Sequence, residues 1–181
     1  MSKKVDWWEQ TVPPIFPQTY LHVARERGAD PVAILNEAGL APDFMDQPTE
    51  LSMLEAQALV EAVRGAVGDQ GLGIEIGWNL PPTAYGSFGY ALLCSETMAD
   101  VLELTERYWH LVGRGTALSI QRDNGDCIME VTLLVPMPAP MRRLVFETTF
   151  TSLYHGLSLL AGTNVEGLEV WFDFAPPEHA D

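Results

Sequence analysis

GLGIEIGWNLPPTAYGSFGYALLCSETMADVLELTERYWHLV, residues 71–112, is the stretch that decides the fold of this chain. Its first part alternates Leu72, Ile74 and Ile76 with smaller or charged residues, which fits a strand or the tail of a short helix. GSFGYALL (86–93) then predicts a glycine-shaped turn of the chain. That turn leads into an amphipathic helix that starts at a capping-box pattern, Thr97 with Asp100.

The first seven residues of this stretch resemble a phosphate-binding loop. GLGIEIG (71–77) almost matches the dinucleotide fingerprint, but its last glycine comes one residue late. The segment also follows a predicted helix, whereas the fingerprint has meaning only between a strand and a helix. We therefore interpret these glycines as sites of tight turns and close packing.

The residues before this stretch predict helices. Pro17 begins a helix that stops at Gly28, and Asp30 caps a short helix that closes at Gly39. A capping box then begins a longer helix over LSMLEAQALVEAVRGAVG (51–68).

The residues after it predict strands and a long helix. TALSIQR (116–122) and CIMEVTLLV (127–135) flank the hairpin signal Asn124-Gly125. MRRLVFETTFTSLYHGLSLLAG (141–162) predicts a long helix, and the alternation in LEVWFDF (168–174) predicts a half-buried strand. The order indicates an α+β fold, in which a helical N-terminal half is followed by a small antiparallel sheet packed against long helices.

Length and composition fit one globular domain with its own core. The chain has 181 residues, of which 47% are hydrophobic. We expect residues 1–16 to form an N-terminal arm and residues 17–181 to form a single domain. The N-terminus lacks the apolar run of a signal peptide, and no segment has the length of a membrane span. We therefore expect no membrane contact and a cytoplasmic protein.

Charge and cysteine content exclude further classes. The formal net charge of −15 repels a phosphate backbone, so this part of a protein is not expected to bind nucleic acid by itself. Cys94 and Cys127 have neither disulfide-framework nor zinc-site spacing. Their apolar neighbours in the sequence predict buried, reduced thiols.

The sequence contains no recognisable catalytic constellation. No two of its histidines have metal-ligand spacing, and no serine lies in a nucleophile elbow. Glu130 and Glu147 have positions that suit solvated faces. We predict no catalytic residue, no metal site and no cofactor.

Polar residues on the long helix are the best candidates for ligand contacts. Thr148, Thr151, Tyr154 and His155 interrupt an otherwise apolar helix, and buried polar groups need partners, which a ligand can supply. The alternative is hydrogen bonding within the protein. We add to this set two residues of the opening stretch, His110 and Tyr90.

The order of motifs resembles the arabinose-binding-like N-terminal domain of AraC-type transcriptional regulators. The similar segments are ADPVAILNEAGL (29–40), SMLEAQALVEAV (52–63), GDQGLGIEIG (68–77) and GSFGYALLCSETMADVLELTERYWHLV (86–112). The hairpin and the long helix follow in the family's order, so the resemblance extends from about Phe16 to Phe174.

The resemblance implies a domain that binds a small-molecule effector and is part of a homodimer. It also implies that DNA is bound only through a C-terminal helix-turn-helix domain, which is absent from this chain. It does not identify arabinose as the effector, and the aromatic-rich interior equally suits a fatty or aromatic one. The alternatives are a small cytoplasmic enzyme that uses His110 or His155, and an oligomerisation module without a ligand.

Overall fold

The computed structural model describes residues 10–113, 115–123, 126–162 and 167–175. The helices are α1 (Ile15–Glu26), α2 (Pro31–Glu37), α3 (Met53–Val67), α4 (Leu72–Asn79), α5 (Gly86–Leu93), α6 (Met98–Tyr108) and α7 (Ala139–Ala161). The strands are β1 (Thr11–Val12), β2 (Leu51–Ser52), β3 (Thr116–Asp123) and β4 (Asp126–Leu133). The predicted α+β class is confirmed. Within the described ranges, no helix is long and apolar enough to cross a membrane.

Side-chain caps begin the helices where the sequence predicts them. The Asp30 carboxylate accepts a hydrogen bond from the Val32 amide at 3.0 Å at the start of α2. Complete capping boxes begin α3 and α6. Each box satisfies amide groups that the first helical turn cannot pair internally. Helix α1 begins at Ile15, two residues before Pro17.

Two separate two-stranded antiparallel sheets are present in the described part of the chain. Strands β3 and β4 form the predicted hairpin, with Asp123 opposite Asp126. The predicted turn residues, Asn124 and Gly125, lie outside the described residues. The short pairing of β1 with β2 was not predicted, because two residues are too few to show a period.

Helices α4 and α7 cross at a very short distance, which glycines in α4 make possible. A Cβ atom placed on Gly73 would lie 2.6 Å from the Cβ of Glu147 and 3.0 Å from the carbonyl oxygen of Leu144. A Cβ placed on Gly77 would lie 2.5 Å from the carbonyl oxygen of Thr148. Two of the three glycines of the rejected phosphate-loop motif, Gly73 and Gly77, are therefore packing residues.

Among the described residues, the core consists of two clusters of buried side chains. The larger one, called the helical cluster, joins α1–α4 and includes Leu21, Leu59 and Ile76. The smaller one, called the hairpin cluster, contains Trp109, Val131 and Phe146. Helix α7 contributes to both, since Leu144 belongs to the helical cluster and Phe146 to the hairpin cluster.

The glycine-rich part of the opening stretch is more helical than expected. Residues 72–79 form α4, which decides between the two alternatives for that segment. The prediction of a chain turn at 86–93 is wrong, because these residues form α5. A Cβ placed on Gly89 would lie 1.8 Å from the carbonyl oxygen of Pro82, so this glycine allows α5 to pack on the preceding 3-10 turn (Pro82–Tyr85).

The predicted strand at 168–174 is also wrong. The described residues 167–175 contain no strand. Their alternating apolar side chains instead form aromatic contacts, with the ring centroids of Phe150 and Phe172 5.6 Å apart and those of Phe172 and Phe174 4.9 Å apart. A strand needs a partner for its backbone groups, and no described strand pairs with this segment.

Three predictions of burial are wrong. Cys94 and Cys127 are exposed instead of buried. Cys94 follows the end of α5, and Cys127 lies beside the exposed Ile128 on β4, so apolar neighbours in the sequence did not indicate the buried face. Glu147, expected on a solvated face, is buried and accepts a 2.8 Å hydrogen bond from Arg143.

We predict that Gly77→Ala destabilises the protein. The added methyl would meet the carbonyl oxygen of Thr148 at 2.5 Å and the Cβ of Thr151 at 2.7 Å, so the helices must separate. Overpacking of this kind costs roughly 1–3 kcal/mol of unfolding free energy, which urea denaturation measures.

Gly65→Ala is the matched control, because Gly65 also lies inside a helix. A Cβ there would be 4.0 Å from the Glu37 carboxylate, an ordinary contact. Helix propensity then predicts a gain of about 0.5–1 kcal/mol. Equal effects of the two substitutions would contradict the close crossing of α4 and α7.

We predict that Ser52→Ala lowers the unfolding free energy by about 1 kcal/mol at neutral pH. The Ser52 hydroxyl donates to the Glu55 carboxylate at 2.7 Å, and hydrogen bonds from Ser52 lower the Glu55 pKa from its usual 4.5. Because the pKa of Glu55 is lower in the folded state than in the unfolded state, the ionised carboxylate stabilises the fold at pH values above its usual pKa. This stabilisation is lost as the pH falls through the folded-state pKa of Glu55. The difference between wild type and S52A should therefore narrow in acid denaturation curves. A constant difference at all pH values would contradict the capping box.

Candidate functional site

A cavity of about 130 Å³ lies between the helical cluster and the hairpin cluster. Helix α1 contributes Phe16 and Tyr20, and α3 contributes Ala56 and Val60. The other walls come from α7 and from the segment that follows α6, which contributes Trp109, Val112, Gly113 and Thr116. The cavity thus lies where the two halves of the core meet.

The wall of this cavity is aromatic, aliphatic and rich in methionine. Phe16 and Tyr85 form an edge-to-face pair with ring centroids 5.7 Å apart. Met53, Met137 and Met141 also line the space. None of the described residues that line the cavity carries a charged side chain.

Most polar groups at the wall already bond within the protein. The Tyr85 hydroxyl and the Ser152 hydroxyl are 2.5 Å apart, and the Trp109 indole donates to the Thr116 hydroxyl at 3.1 Å. The Thr148 hydroxyl donates to the carbonyl oxygen of Gly73 at 3.1 Å.

Two hydroxyl groups at the wall remain available for a ligand. The described structure contains no hydrogen-bond partner for the side-chain hydroxyl of Tyr20 or of Thr149. Gln57, the other polar lining residue, donates to the Glu61 carboxylate at 3.1 Å. A ligand in the cavity would therefore find two free hydroxyls among the described groups.

The phenols of Tyr20 and Tyr85 stay neutral in the fold. Burial raises the pKa of Tyr20 well above its ordinary value, and the neighbouring Tyr85 raises it further. Burial also raises the pKa of Tyr85, although the hydrogen bond with Ser152 partly opposes this. Both groups therefore act as uncharged hydrogen-bonding groups at physiological pH.

Of the six predicted ligand contacts, Thr148 lines the cavity. Thr151 instead lies against α4, where its Cβ would contact a Cβ placed on Gly77. His110 is exposed, with its Nδ1 3.1 Å from the carbonyl oxygen of Arg107. Tyr90 is 60% exposed on α5. The structure therefore does not bring the six residues together in one place.

Tyr154 and His155 lie beside Trp78 on a different face of α7. The His155 ring stacks on the Trp78 indole with centroids 4.4 Å apart, and the Tyr154 ring lies 6.5 Å from it. The Nδ1 of His155 is buried and has no hydrogen bond within the described residues. These residues form an aromatic group outside the cavity.

Two further features limit the possible sites. A second, smaller cavity of about 40 Å³ has an almost wholly apolar wall that includes Phe88, Met129 and Leu157. In the described parts of the chain, no group of three or more His, Cys, Asp or Glu residues is arranged to hold a metal ion.

Sequence reasoning missed the tyrosines and methionines of the cavity wall. Tyr20 lies on the apolar face of its helix, and that pattern alone indicates a core residue. Tyr85 lies just before GSFGYALL, the segment that was expected to be a turn. A hydroxyl without a partner is visible only once the surrounding elements are in place.

The chain matches a family model described as the arabinose-binding domain of AraC transcription regulators, N-terminal, over residues 28–181. The chain belongs to this family. The family is one of transcription regulator domains and is not an enzyme family. The resemblance found in the sequence is confirmed.

Curated relatives are regulators of greater length. The chain is 26% identical over 183 residues to the ornithine utilization regulator of Pseudomonas aeruginosa, covering 99% of the chain and 53% of that regulator. It is 26% identical over 127 residues to an uncharacterized HTH-type transcriptional regulator of Mycobacterium tuberculosis, covering 69% of the chain and 37% of that regulator. The chain thus spans about half, or less, of the relatives it matches.

We predict that Tyr85→Phe and Tyr20→Phe differ in their effect on stability. Tyr85→Phe removes the closer of two partners of the buried Ser152 hydroxyl, leaving the Thr149 carbonyl oxygen at 3.4 Å, and should cost about 1–2 kcal/mol of unfolding free energy. Tyr20→Phe removes a hydroxyl without a described partner and should be close to neutral. Chemical denaturation at neutral pH measures both, and equal losses would contradict the assigned hydrogen bonding.

Alkaline pH should reduce the stability of the wild type more than that of either variant. The pKa values of Tyr20 and Tyr85 are raised in the fold, so the fold favours the neutral phenols over the phenolates. The corresponding stabilisation is fully present below the ordinary tyrosine pKa of 10.0 and is lost as the pH rises above it. Denaturation curves on both sides of this value, with absorbance at the phenolate band as a second signal, measure the effect. Parallel pH profiles for wild type and both variants would rule it out.

Proposed function

We propose that this chain is the effector-sensing domain of an AraC-type transcriptional regulator, and that a small-molecule effector occupies the cavity between the two core clusters. The observation that carries the proposal is the cavity itself, which is about 130 Å³ in volume and is lined by two residues, Tyr20 and Thr149, whose hydroxyl groups have no hydrogen-bond partner among the described residues. Ligand sites are concave, mostly apolar and fitted with a few polar groups. Family membership supports a regulatory role.

A ligand in this cavity would contact both halves of the core at once. Ala56 and Val60 face it from the helical cluster, and Trp109 faces it from the hairpin cluster. Binding would therefore favour conformations in which the two clusters are held together. A sensor requires such a difference in ligand affinity between states.

DNA binding is proposed to reside in a C-terminal helix-turn-helix domain outside this chain. A matched relative is described as an HTH-type regulator, and the chain covers 37% of its length. The net charge of −15 fits a domain that does not itself contact DNA. The cytoplasm is the proposed location, since a regulator of this kind acts where the bacterial DNA lies.

Two parts of the proposal, the role of the domain and the dimer, rest on the family resemblance, and the ligand contacts rest on the residues themselves. Residues 17–181 would act as one effector-binding and dimerisation unit after the arm of residues 1–16. The regulator would be a homodimer, which sedimentation velocity with and without effector can measure. Thr151, Tyr154, His155, His110 and Tyr90 stay predicted ligand contacts, whereas Thr148 gains support from its position at the cavity.

We predict that Ala56→Leu removes the bound effector. Ala56 is buried at the cavity wall, and a leucine there would fill space that the ligand needs. Wild type purified from its native host, or mixed with fractionated metabolite extract of that host, should carry a small molecule that native mass spectrometry detects. At about one hundred times its dissociation constant, that molecule should stabilise the fold by about 2.7 kcal/mol.

Ala66→Leu is the control, since Ala66 lies exposed on the same helix and does not line the cavity. It should retain the small molecule and the thermal shift. Retention of the molecule by A56L would refute the cavity as the effector site. A protein that never carries or responds to a metabolite would favour the ligand-free oligomerisation module, and turnover of the added metabolite would favour the enzyme.

A further inference from the structure

We propose that the effector is an uncharged and largely apolar molecule, about one ring in size, that forms a hydrogen bond with the hydroxyl group of Tyr20. This inference rests on the proposed function, because it concerns the same cavity. The proposed ligand class differs from the sugar named in the family's description and from the amino acid in the name of the Pseudomonas relative.

The described part of the wall offers no charge to an ionic ligand. No Asp, Glu, Lys, Arg or His is among the described residues that line the cavity. An ion that leaves water without a partner loses several kcal/mol or more of solvation free energy. Ornithine carries two ammonium groups and a carboxylate at neutral pH, and the described wall residues have no opposite charge for any of them.

The hydrogen bonds already formed at the described wall disfavour a sugar. The side chains of Gln57, Tyr85, Thr116 and Thr148 already bond within the protein. A pentose has several hydroxyl groups and a ring oxygen, and most of these would be buried without partners. Each unpaired polar group costs roughly 1–3 kcal/mol.

The size and shape of the wall favour a ring. A dry protein cavity of roughly 150 Å³ lined by apolar side chains binds benzene, and this cavity is of similar volume, about 130 Å³. Aromatic rings prefer edge-to-face contacts such as the one between Phe16 and Tyr85. Met53 and Met141 add flexible side chains that adapt to a ligand's outline.

Tyr20 supplies the polar contact. Its hydroxyl has no partner in the described structure, and burial keeps it protonated. A neutral phenol donates to a carbonyl or hydroxyl oxygen of a ligand but offers a carboxylate no charge. The Thr149 hydroxyl, also at the wall, is the second group available to the same ligand.

The test is a thermal-shift and calorimetric titration of the chain with five probes. Toluene, benzyl alcohol and benzoate share one ring and differ in polarity and charge, whereas L-arabinose and L-ornithine represent the sugar and the charged amino acid. We expect toluene and benzyl alcohol to bind, and the other three to leave the melting temperature unchanged. Tyr20→Phe should weaken benzyl alcohol roughly tenfold and leave toluene unchanged, as expected for loss of one hydrogen bond.

Two variants complete the design. Tyr108→Phe, at the end of α6 and away from the cavity wall, should bind both probes like wild type. Ala56→Leu should bind neither probe. If A56L does not fold, Ala56→Val, with a smaller added volume, takes its place and should weaken toluene.

The outcomes that overturn this inference differ from those that overturn the proposed function. Binding of benzoate, L-arabinose or L-ornithine to wild type but not to A56L would refute the uncharged ligand and leave the effector site intact. Failure of both toluene and benzyl alcohol to bind would refute the apolar ligand class. Equal weakening of both by Y20F would refute the hydrogen bond, and unchanged binding to A56L would refute the cavity itself.

Discussion

The close crossing of α4 and α7 at Gly73 and Gly77 is the contact on which the rest of the structure depends. Without side chains on these glycines, the backbone of α4 approaches the carbonyl oxygens of α7, and the Thr148 hydroxyl reaches the Gly73 carbonyl. Because α7 is 23 residues long, its first half then extends along both core clusters. The position of α7 in turn determines one wall of the cavity. The glycines of a motif that resembles a phosphate-binding loop therefore act by allowing two helices to pack closely.

The cavity and the proposed regulation follow from this arrangement. The two clusters share a boundary that side chains do not fill, and an apolar ligand there would supply the missing contacts. Ligand binding would then change how firmly the hairpin half is held to the helical half, which is a change that a neighbouring domain can sense. Tyr85 links the same region to α7 through Ser152, which gives the cavity a direct connection to the long helix.

Local signals predicted much of the fold. Sequence alone was sufficient to predict the capping boxes at Ser52 and Thr97 and the pairing of the hairpin, because these features depend on residues that are close together in the chain. The predictions failed where the structure of a segment depends on residues distant in sequence. Residues 168–174 have alternating side chains but no described strand beside them, so they form no strand. Cys127 was expected to be buried but lies on the exposed face of the hairpin. The candidate site was predicted only in part. Thr148 is evident as a polar residue on an apolar helix, whereas the cavity at which Tyr20 lies forms only where segments distant in sequence meet.

The central claim is that a ligand binds between the two core clusters, and methionine methyl NMR tests it most directly. Met53, Met137 and Met141 line the cavity, Met129 lines the smaller one, and Met98 is exposed on α6. With all methionine methyl groups labelled, addition of toluene should shift the signals of Met53, Met137 and Met141 and leave Met98 in place. Shifts at Met98 or Met129 with the other three unchanged would place the ligand elsewhere and contradict the account.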